Sequence, residues 1–421
     1  MAYKSLEKLF YMDKSSDRYA SNEKMAHDRL SSEYTFRTGI QTPAGELFLS
    51  APHELLVMGE QALTLERKVS KALELLPPVA RGALVRSLVI DEVVSTNDLE
   101  GVRSTRRQVN DALESLGKNE AQGTLKTRRF RKLAKLYLGL SDQELFFPSS
   151  PEDIRAVYDR VMAGEDLGDN APDGRLFRRG EVGIYAADGE LLHEGPHPES
   201  AITAAVQQMI DLAESDTIPH LYSAIVSHYV FEYVHPFYDG NGRTGRYLLA
   251  LYLSRPLSTL TSLSLSRVIA ENRDAYYREF KGAEKKLNHG ELTFFVMNIL
   301  QDIQIAQDKL VADLEQKHAQ LMQAEVKVQH VGSQLKLPAK EQAILFLLAQ
   351  LQLFATFPSA SLAEVADYAG VGTQQARKYT IALEERGLIT AERKRSLGFG
   401  LSAAGREALG LQAADAETNA R

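Results

Sequence analysis

The chain has 421 residues, of which 44% are hydrophobic and 25% charged, an ordinary balance for a globular protein. Its formal net charge of -7 argues against non-specific binding to nucleic acid or anionic membrane along the whole chain. The absence of cysteine excludes disulfides, thiol nucleophiles and thiolate metal sites, and it suits the cytoplasmic location that we expect.

The N-terminal part of the chain is expected to pass from irregular structure into helices. Residues 1–60 are polar and turn-rich, and the stretch TPAGELFLSAP, residues 42–52, predicts loops or short strands. Their pattern is not that of a signal peptide or a membrane span. From about residue 60, apolar residues recur at helical spacing until Pro77 and Pro78 interrupt them. A second helix is expected over 79–97.

A Gly- and Pro-rich stretch, residues 163–200, separates the helices of the middle of the chain. Just before it, Ser150 and Pro151 predict the start of a helix. Within it, residues 181–195 predict a β-hairpin that turns at Asp188-Gly189. One hairpin in a helical chain is more often functional than architectural, because loops on a rigid scaffold tend to bind ligands.

Two apolar helical stretches, 218–234 and 243–255, flank the segment HPFYDGNGRTGR at residues 235–246. Gly240 and Gly242 allow backbone N–H groups to approach a ligand closely. The N-terminus of the following helix adds positive potential and unpaired N–H donors. The segment therefore predicts an anion-binding loop.

The polar side chains of this loop indicate a polyphosphate ligand and a group transfer. Arg243 and Arg246 share a helix face at i, i+3 and supply two guanidinium forks for phosphate oxygens. Asp239 beside bound phosphates requires a divalent cation, and Mg²⁺ typically uses one or two carboxylates plus phosphate oxygens. His235 can accept a proton from an incoming hydroxyl. His228, by contrast, is expected to be a buried helix histidine.

The loop resembles the Fic signature, His-x-Phe-x-Asp/Glu-Gly-Asn-Gly-Arg-x-x-Arg, at every specified position, within a likeness that spans roughly residues 75–300. The resemblance implies a helical bundle with a β-hairpin flap, and transfer of AMP from ATP to a Ser, Thr or Tyr hydroxyl of a protein. It also implies the site residues: His235 as base, Asp239 as Mg²⁺ ligand, Gly240, Asn241, Gly242, Arg243, Thr244, Gly245 and Arg246 around the phosphates of ATP, and Tyr277 at the adenosine end.

The resemblance also implies how the target protein and the transferred group are chosen. A target segment would dock by strand addition on the flap around Val182 to Tyr185. A subgroup with Asn-Lys in the loop transfers the γ-phosphoryl group, whereas Gly242 in this chain favours AMP transfer. Phosphoryl transfer remains an alternative. The residues after the flap depart from the proline pair that is more usual in the family. We expect this departure to alter the path of the chain as it leaves the flap and to leave the reaction unchanged.

The segment STNDLEGV, residues 95–102, resembles the inhibitory motif of the family, filled in this chain by Thr96, Glu100 and Gly101. Glu100 at a helix end can pair with Arg246 in a bidentate bridge and so occupy the arginine that should meet the γ-phosphate. Autoinhibition in cis is expected, because a misplacement of about 1 Å can cost ~100-fold in rate. In some family members the same glutamate positions water that removes AMP, and this alternative stays open.

Residues 337–412 predict three helices followed by two short strands, which is the pattern of a winged helix-turn-helix. Residues expected to face a DNA major groove are Thr373, Gln374, Gln375, Arg377 and Lys378, with residues 393–395 on the wing. Winged helices also dock proteins or dimerise, so DNA, a protein and a homodimer remain alternative partners. A nucleotide-sensing DNA-binding regulator is the competing function.

The predicted fold class is therefore mainly α, a Fic-type helical bundle with a β-hairpin flap and a small C-terminal winged helix-turn-helix domain. The connection between them, within 292–330, is expected to be almost continuously helical. The predicted division is an N-terminal extension (1–60), a Fic domain (61–305) with an inhibitory helix (about 80–101) and a catalytic loop (235–246), a connecting helix (306–336), a winged helix (337–412) and a flexible tail (413–421).

Overall fold

The computed structural model describes residues 2–116, 125–141, 145–185, 191–392 and 398–412. The described part is mainly helical, as the sequence predicted. It forms two units that are not contiguous in sequence. The first unit comprises Met1–Arg67, Asp91–Ser104 and Gln108–Asp308, and the second comprises Lys68–Ile90, Thr105–Arg107 and Lys309–Arg421.

Helices predominate from one end of the described chain to the other. The first elements are α1 (Leu6–Met12), α2 (Arg18–Leu30), β1 (Thr35–Thr42), β2 (Gly45–Ser50), α3 (His53–Glu74), α4 (Pro78–Leu99), α5 (Arg106–Glu114), α6 (Leu125–Gly139) and α7 (Pro151–Val161). Next come β3 (Gly183–Tyr185), β4 (Leu191–Glu194), α8 (Glu199–Ala213), α9 (His220–Val234), α10 (Asn241–Leu253), α11 (Thr259–Ser262), α12 (Leu265–Glu271), α13 (Arg273–Glu284) and α14 (Thr293–Leu335). The last are α15 (Ala339–Phe354), β5 (Ala360–Ser361), α16 (Leu362–Ala369), α17 (Thr373–Glu385), β6 (Ile389–Glu392), β7 (Gly398–Leu401) and α18 (Ala403–Leu409).

The short strands expected within residues 42–52 are confirmed by β2, but the expectation that helices begin only at about residue 60 was wrong. The strands β1 and β2 do form an antiparallel pair, but α1 and α2 precede them and α3 already begins at His53. Both early helices have side-chain N-caps, since Ser5 accepts from the N–H of Lys8 and Asp17 from that of Ala20. With 7 residues α1 is too short for a clear apolar period, and α2, with 13 residues, is mostly polar, so their caps were the available signal.

The helices on either side of the loop at residues 235–240, α9 and α10, form the centre of the first unit. From Leu221 to Val234, α9 is buried at every residue except Glu232, and α10 is buried along its whole length. A helix that is apolar on every face must be enclosed by other elements. The loop between these two helices is therefore held by rigid, close-packed neighbours.

The sequence correctly predicted the start of α7 and the pairing of the flap strands. Ser150 and Asp153 form a reciprocal capping box with Pro151 at the first helical position. Strands β3 and β4 pair antiparallel, with Gly183 opposite Glu194. The predicted turn at Asp188-Gly189 lies outside the described residues.

In the second unit, helices α15 to α18 surround a three-stranded sheet of order β5-β7-β6. Its core contains apolar residues of these helices and strands together with the C-terminal part of α14. The nearly continuous helix predicted over 292–330 is confirmed by α14, which has 43 residues. Residues 393–395 and 413–421 lie outside the described residues. Nowhere in the described part is a helix both long enough and apolar enough to span a membrane.

Candidate functional site

The loop after α9 begins with a histidine in a left-handed conformation. His235 has φ 48° and ψ 60°, and its backbone N–H donates to the carbonyl of Phe231. Phe237 then turns into the core, where it is fully buried and stacks on Tyr158 with ring centroids 3.6 Å apart. The positive φ of a non-glycine residue is held in place by these anchors on both sides.

Asn241 closes the loop by bonding to the backbone of Phe237 in both directions. The N–H of Phe237 donates to Oδ1 at 3.0 Å, and Nδ2 donates to the carbonyl at 2.8 Å. Gly240 has φ 78°, and a methyl group there would overlap Sδ of Met162. Both conditions require glycine at position 240. The first turn of α10 follows directly.

Gly242 lies where the loop meets Glu100, the glutamate of the segment 95–102. A methyl group at position 242 would overlap Oε1 of Glu100 and lie 2.8 Å from Nη1 of Arg246. Because glycine has no side chain, a carboxylate and a guanidinium group can approach the backbone of α10 together. The same space would admit phosphate oxygens.

Arg246 is almost fully buried and receives its contacts from the end of α4. Its Nη2 donates to Oε1 of Glu100 at 2.7 Å and to the carbonyl of Thr96 at 3.0 Å, and its Nε donates to Oγ1 of Thr96 at 2.8 Å. The bidentate bridge that the sequence predicted is therefore replaced by one hydrogen bond to Glu100. Thr96 accepts from both Nε and Nη2, so the edge of the guanidinium group formed by these two nitrogens is not available for a bidentate carboxylate.

The electrostatics of this pair favour its charged form. Burial would raise the pKa of Glu100, yet the guanidinium group of Arg246 holds that pKa below its ordinary value. Burial would lower the pKa of Arg246, but Glu100 and then Glu232 outweigh this effect and raise it. Gly101, with φ 69°, follows Glu100 directly after the end of α4 and turns the chain away from the helix.

The second arginine of the loop, Arg243, contacts a carboxylate that the sequence did not single out. Its Nη1 donates to Oε1 of Glu165 at 2.9 Å. Its Nη2 lies 3.8 Å from Oδ1 of Asp239. Glu165 follows α7 in the Gly- and Pro-rich stretch. The sequence offered little to identify it, since it is simply an acidic residue next to a glycine.

Asp239 stands at the exposed side of the loop, where a cation could reach it. About half of its side chain, 47%, is exposed, and Oδ1 accepts from the N–H of Gly240 at 2.6 Å. One partly exposed carboxylate next to an anion-binding helix end fits the way Mg²⁺ is held between a protein oxygen and phosphate oxygens. Asp239 is thus suited to the cation that the sequence predicted.

The ring of His235 is oriented by a backbone carbonyl. Its Nδ1 lies 3.3 Å from the carbonyl oxygen of Glu232, which can only accept, so the proton of this bond is on Nδ1. In this tautomer Nε2 is the basic nitrogen. His235 is half-buried and directly follows the last residue of α9.

Two further titratable groups lie beneath the loop. His228 is buried, as predicted, with Nδ1 donating to the carbonyl of Gly245 at 3.1 Å and Nε2 2.9 Å from the hydroxyl of Tyr276. Burial and then Arg246 lower the pKa of His228 to about 3. Although Glu232 is the least buried residue of this part of α9, its side chain is only 12% exposed, and burial raises its pKa to about 8 against the opposing effect of Arg246. Glu232 lies three residues before His235, and nothing in the sequence pattern singled it out.

The remaining predicted residues lie at the edges of the site. Thr244 is fully buried and its backbone N–H donates to the carbonyl of Gly240. Gly245 is packed against α9, where a methyl group would overlap Oε1 of Glu232. Tyr277 is 36% exposed and meets Tyr276 edge-on at 5.2 Å. Thr244 and Gly245 thus contact the protein interior, while Tyr277 presents an accessible ring.

Arg178 connects the histidine to the flap and was also missed. Its buried guanidinium group donates from Nε to the carbonyl of His235 at 2.8 Å and from Nη2 to that of Val234 at 3.2 Å. It also donates to the carbonyls of Gly180 at 2.7 Å and Pro196 at 3.1 Å, at the two ends of the flap. Burial lowers its pKa. An arginine in a Gly- and Pro-rich stretch was the only local signal.

The flap is a two-stranded antiparallel sheet formed by β3 and β4. Strand β3 includes part of the predicted docking segment, Val182 to Tyr185, and the carbonyl of Val182 accepts from the N–H of Gly195 at 3.3 Å. In a two-stranded sheet each strand keeps one outer edge. Such an edge can pair with an added strand.

Comparison with known proteins identifies the region that carries the loop. Residues 148–253 match the model of the Fic/DOC family. The chain is 27% identical over 190 residues to protein adenylyltransferase Fic of Drosophila melanogaster, a match that covers 44% of this chain and 35% of that protein. It is 30% identical over 130 residues to a probable protein adenylyltransferase of Aquifex aeolicus, covering 31% of this chain and 35% of that one.

The fold is similar to that of a solved Fic family protein from Desulfovibrio desulfuricans G20. The TM-score is 0.50 at 18% sequence identity, and the alignment covers 84% of this chain and 97% of the other. The likeness therefore concerns the fold. The chain spans about a third of the length of the curated relatives it matches, 35% in each case.

Proposed function

We propose that this protein transfers AMP from ATP to a Ser, Thr or Tyr hydroxyl of a target protein, or of itself, and that Glu100 restrains the reaction. The observation that carries the proposal is the convergence of His235, the N-terminus of α10 and two guanidinium groups on one loop. A base, an anion-binding helix end and two cationic forks suit a nucleotide phosphate and an incoming hydroxyl. The relatives that are named protein adenylyltransferases support the same reaction.

In the proposed reaction, Nε2 of His235 accepts the proton of the target hydroxyl while the hydroxyl oxygen attacks the α-phosphorus of ATP. The bond from that phosphorus to the bridging oxygen breaks, pyrophosphate leaves, and AMP remains esterified to the target. The backbone of Gly240 to Gly242 would hold the α- and β-phosphates, and Arg243 and Arg246 the outer ones. Mg²⁺, when bound by Asp239 and phosphate oxygens, would neutralise charge on the leaving group.

The proposed restraint follows from where Glu100 lies. A carboxylate 2.7 Å from Nη2 of Arg246 competes with a γ-phosphate for the same donor. ATP bound beside this pair would have its phosphates displaced, and displacement of the reacting atoms by about 1 Å costs ~100-fold in rate. Release of Glu100 would let Arg246 align the nucleotide.

The proposed docking of the target uses the flap. An extended target segment would add to the outer edge of β3, with backbone hydrogen bonds setting its register. Arg178 links both ends of the flap to the carbonyl of His235. A segment held on the flap would therefore be positioned relative to the base.

The proposal is tested with purified protein, Mg²⁺ and ATP labelled at the α-phosphate. We expect weak labelling of the protein or of a lysate target, stronger labelling with Glu100→Gly, and none with Glu100→Gly/His235→Ala. Label that arrives from the γ-phosphate instead would identify phosphoryl transfer. Loss of label from a pre-labelled target, accelerated by the wild-type chain and not by Glu100→Gly, would identify AMP removal. Tight ATP binding without any transfer in the Glu100→Gly variant would favour a nucleotide sensor.

A second candidate function, duplex DNA binding by the second unit, is favoured by one observation. All five positions predicted to face a groove, Thr373, Gln374, Gln375, Arg377 and Lys378, are exposed on α17. The order of α15 to α17, β6 and β7 is that of a winged helix. Binding of duplex DNA that weakens steeply as salt rises, and that Arg377→Ala reduces, would support it. The absence of binding at low salt would exclude it and favour a protein partner.

A further inference from the structure

Arg243 is paired with a carboxylate that lies outside the signature loop. Its Nη1 donates to Oε1 of Glu165 at 2.9 Å, and the two side chains are only 3% and 13% exposed. On the other side, Oδ1 of Asp239 lies 3.8 Å from Nη2. The guanidinium group proposed for phosphate binding therefore faces two carboxylates in addition to any ligand.

The position of Glu165 is set by the packing of the turn that carries it. Its backbone N–H donates to the carbonyl of Met162 at 3.0 Å, and Gly164 between them has φ 91°. Met162 in turn contacts the loop, because its sulfur fills the space next to Gly240. Glu165 is thus presented to Arg243 by a turn that packs on the anion-binding loop itself.

We infer that Glu165 is a specificity-determining residue that selects nucleotides by the charge of their phosphates, an inference that rests on the proposed binding of nucleotide phosphates at this loop. A phosphate oxygen that contacts Arg243 lies one guanidinium group away from the Glu165 carboxylate. Repulsion between them grows with the charge of the ligand and is weakly screened in a buried site. Glu165 therefore disfavours metal-free ATP most, ADP less and AMP least, and it favours ATP that carries Mg²⁺ over ATP that does not.

Glu165→Gln tests the charge alone, because glutamine keeps the size of the side chain and an oxygen that can accept from Nη1. Isothermal titration of the full chain with AMP, ADP and ATP, in EDTA and in Mg²⁺, measures the effect. We expect metal-free ATP to bind about tenfold more tightly to the variant than to the unaltered chain. The affinity for ADP should increase less, and the affinity for AMP should change little. The preference for Mg²⁺-loaded over metal-free ATP shrinks accordingly.

Glu214→Gln is the matched control, because Glu214 forms a similar pair with Arg255 at 2.6 Å in the same unit. This control removes one acidic charge away from the loop and should leave every nucleotide affinity unchanged. Equal gains for AMP and ATP in Glu165→Gln, or no gain, would overturn the inference. So would unchanged affinities in Glu165→Gln with weaker binding in Glu165→Ala, since that result assigns Glu165 to orienting Arg243.

The transfer assay separates this inference from the proposed reaction. His235-dependent labelling together with unchanged affinities in Glu165→Gln would retain the reaction and reject the role of Glu165. A gain in affinity that increases from AMP through ADP to ATP, without AMP transfer in any variant, would retain the role of Glu165 and reject the reaction. Thermal melting of each variant, with the melting temperature close to that of the unaltered chain, establishes that the comparison is between folded proteins.

Discussion

Glu100 and Arg246 form a salt bridge of 2.7 Å between the end of α4 and the first turns of α10. Thr96, one helical turn before Glu100, adds a hydroxyl and a carbonyl that accept from the same guanidinium group. All three contacts come from one helix end, so movement of that end would break all three contacts with Arg246 together. The position of the end of α4 therefore determines whether Arg246 is available to a ligand at the loop.

Replacement of Glu100 by glycine is expected to raise AMP transfer. The change removes the carboxylate that we propose competes with phosphate for Arg246, while Thr96 remains to orient the guanidinium group. An increase on the order of 10- to 100-fold is expected if the inhibited nucleotide is misplaced by about 1 Å. Incorporation of α-labelled AMP over time measures it.

Asp98→Asn is the control for this change, because Asp98 is exposed on the same helix end. It removes an acidic charge without touching the salt bridge and should leave the rate of labelling as it was. A Glu100→Gly variant that labels no faster than Asp98→Asn would show that the glutamate does not inhibit.

Gly242→Ala is expected to weaken nucleotide binding by about tenfold or more, which corresponds to roughly 1.4 kcal/mol. The added methyl group would overlap Oε1 of Glu100 and crowd Nη1 of Arg246, in the space that we assign to phosphate oxygens. Titration with ATP measures the loss. Gly282→Ala on α13 is the matched control, because its methyl group would meet only Oε2 of Glu279, at 4.0 Å. Similar ATP affinities in the two variants would place the phosphates elsewhere.

Arg178→Met is expected to lower the free energy of unfolding by about 3 kcal/mol or more, because buried carbonyls lose a charged donor. The four carbonyls include that of His235, so AMP transfer should fall further than ATP binding does. Urea denaturation and the labelling assay measure the two effects. Arg179→Met, at the exposed neighbouring position, should change stability by less than about 0.5 kcal/mol. Equal stability of the two variants would contradict the role of Arg178 as a clamp.

Stability should fall as pH rises toward 8 because of Glu92. Burial raises the pKa of this carboxyl from 4.5 to about 8, although Ser266 donates to it from its N–H and its hydroxyl. Between these values the folded state binds the proton more tightly than the unfolded state does. The stabilisation is therefore fully present below pH 4.5 and is lost as the pH rises through about 8.

Glu92→Gln should flatten this dependence, because glutamine has nearly the same size and does not titrate. Its amide oxygen can accept from the N–H of Ser266 and its NH2 group can donate to the hydroxyl. Melting temperatures between pH 5 and 8.5 measure the slope, and Glu232, whose pKa is also raised to about 8, should preserve part of it. Glu60→Gln, an exposed change on α3, should leave the slope intact. An unchanged slope in Glu92→Gln would indicate that Glu92 is already ionised in the folded protein.

The sequence alone determined the contents of the loop from His235 to Arg246 and the chemistry available there. Its residues are contiguous, and the rules that connect them are local: a glycine at positive φ, a helix N-terminus, and two arginines one turn apart. The same locality explains why α7, with its capping box, and the long α14 were predicted well. The short helices α1 and α2 were missed because their local signal is weak.

Only the tertiary structure decided which distant side chains meet that loop. Glu165 lies 78 positions from Arg243, and Arg178 lies 57 from His235, so no period or spacing relates them. Arg246 makes one hydrogen bond to Glu100 in place of the expected bidentate bridge, while Thr96 accepts from its Nε. Contacts of this kind depend on how helices and turns pack against one another. This packing is determined by the whole core at once, so no short segment of the sequence predicts it.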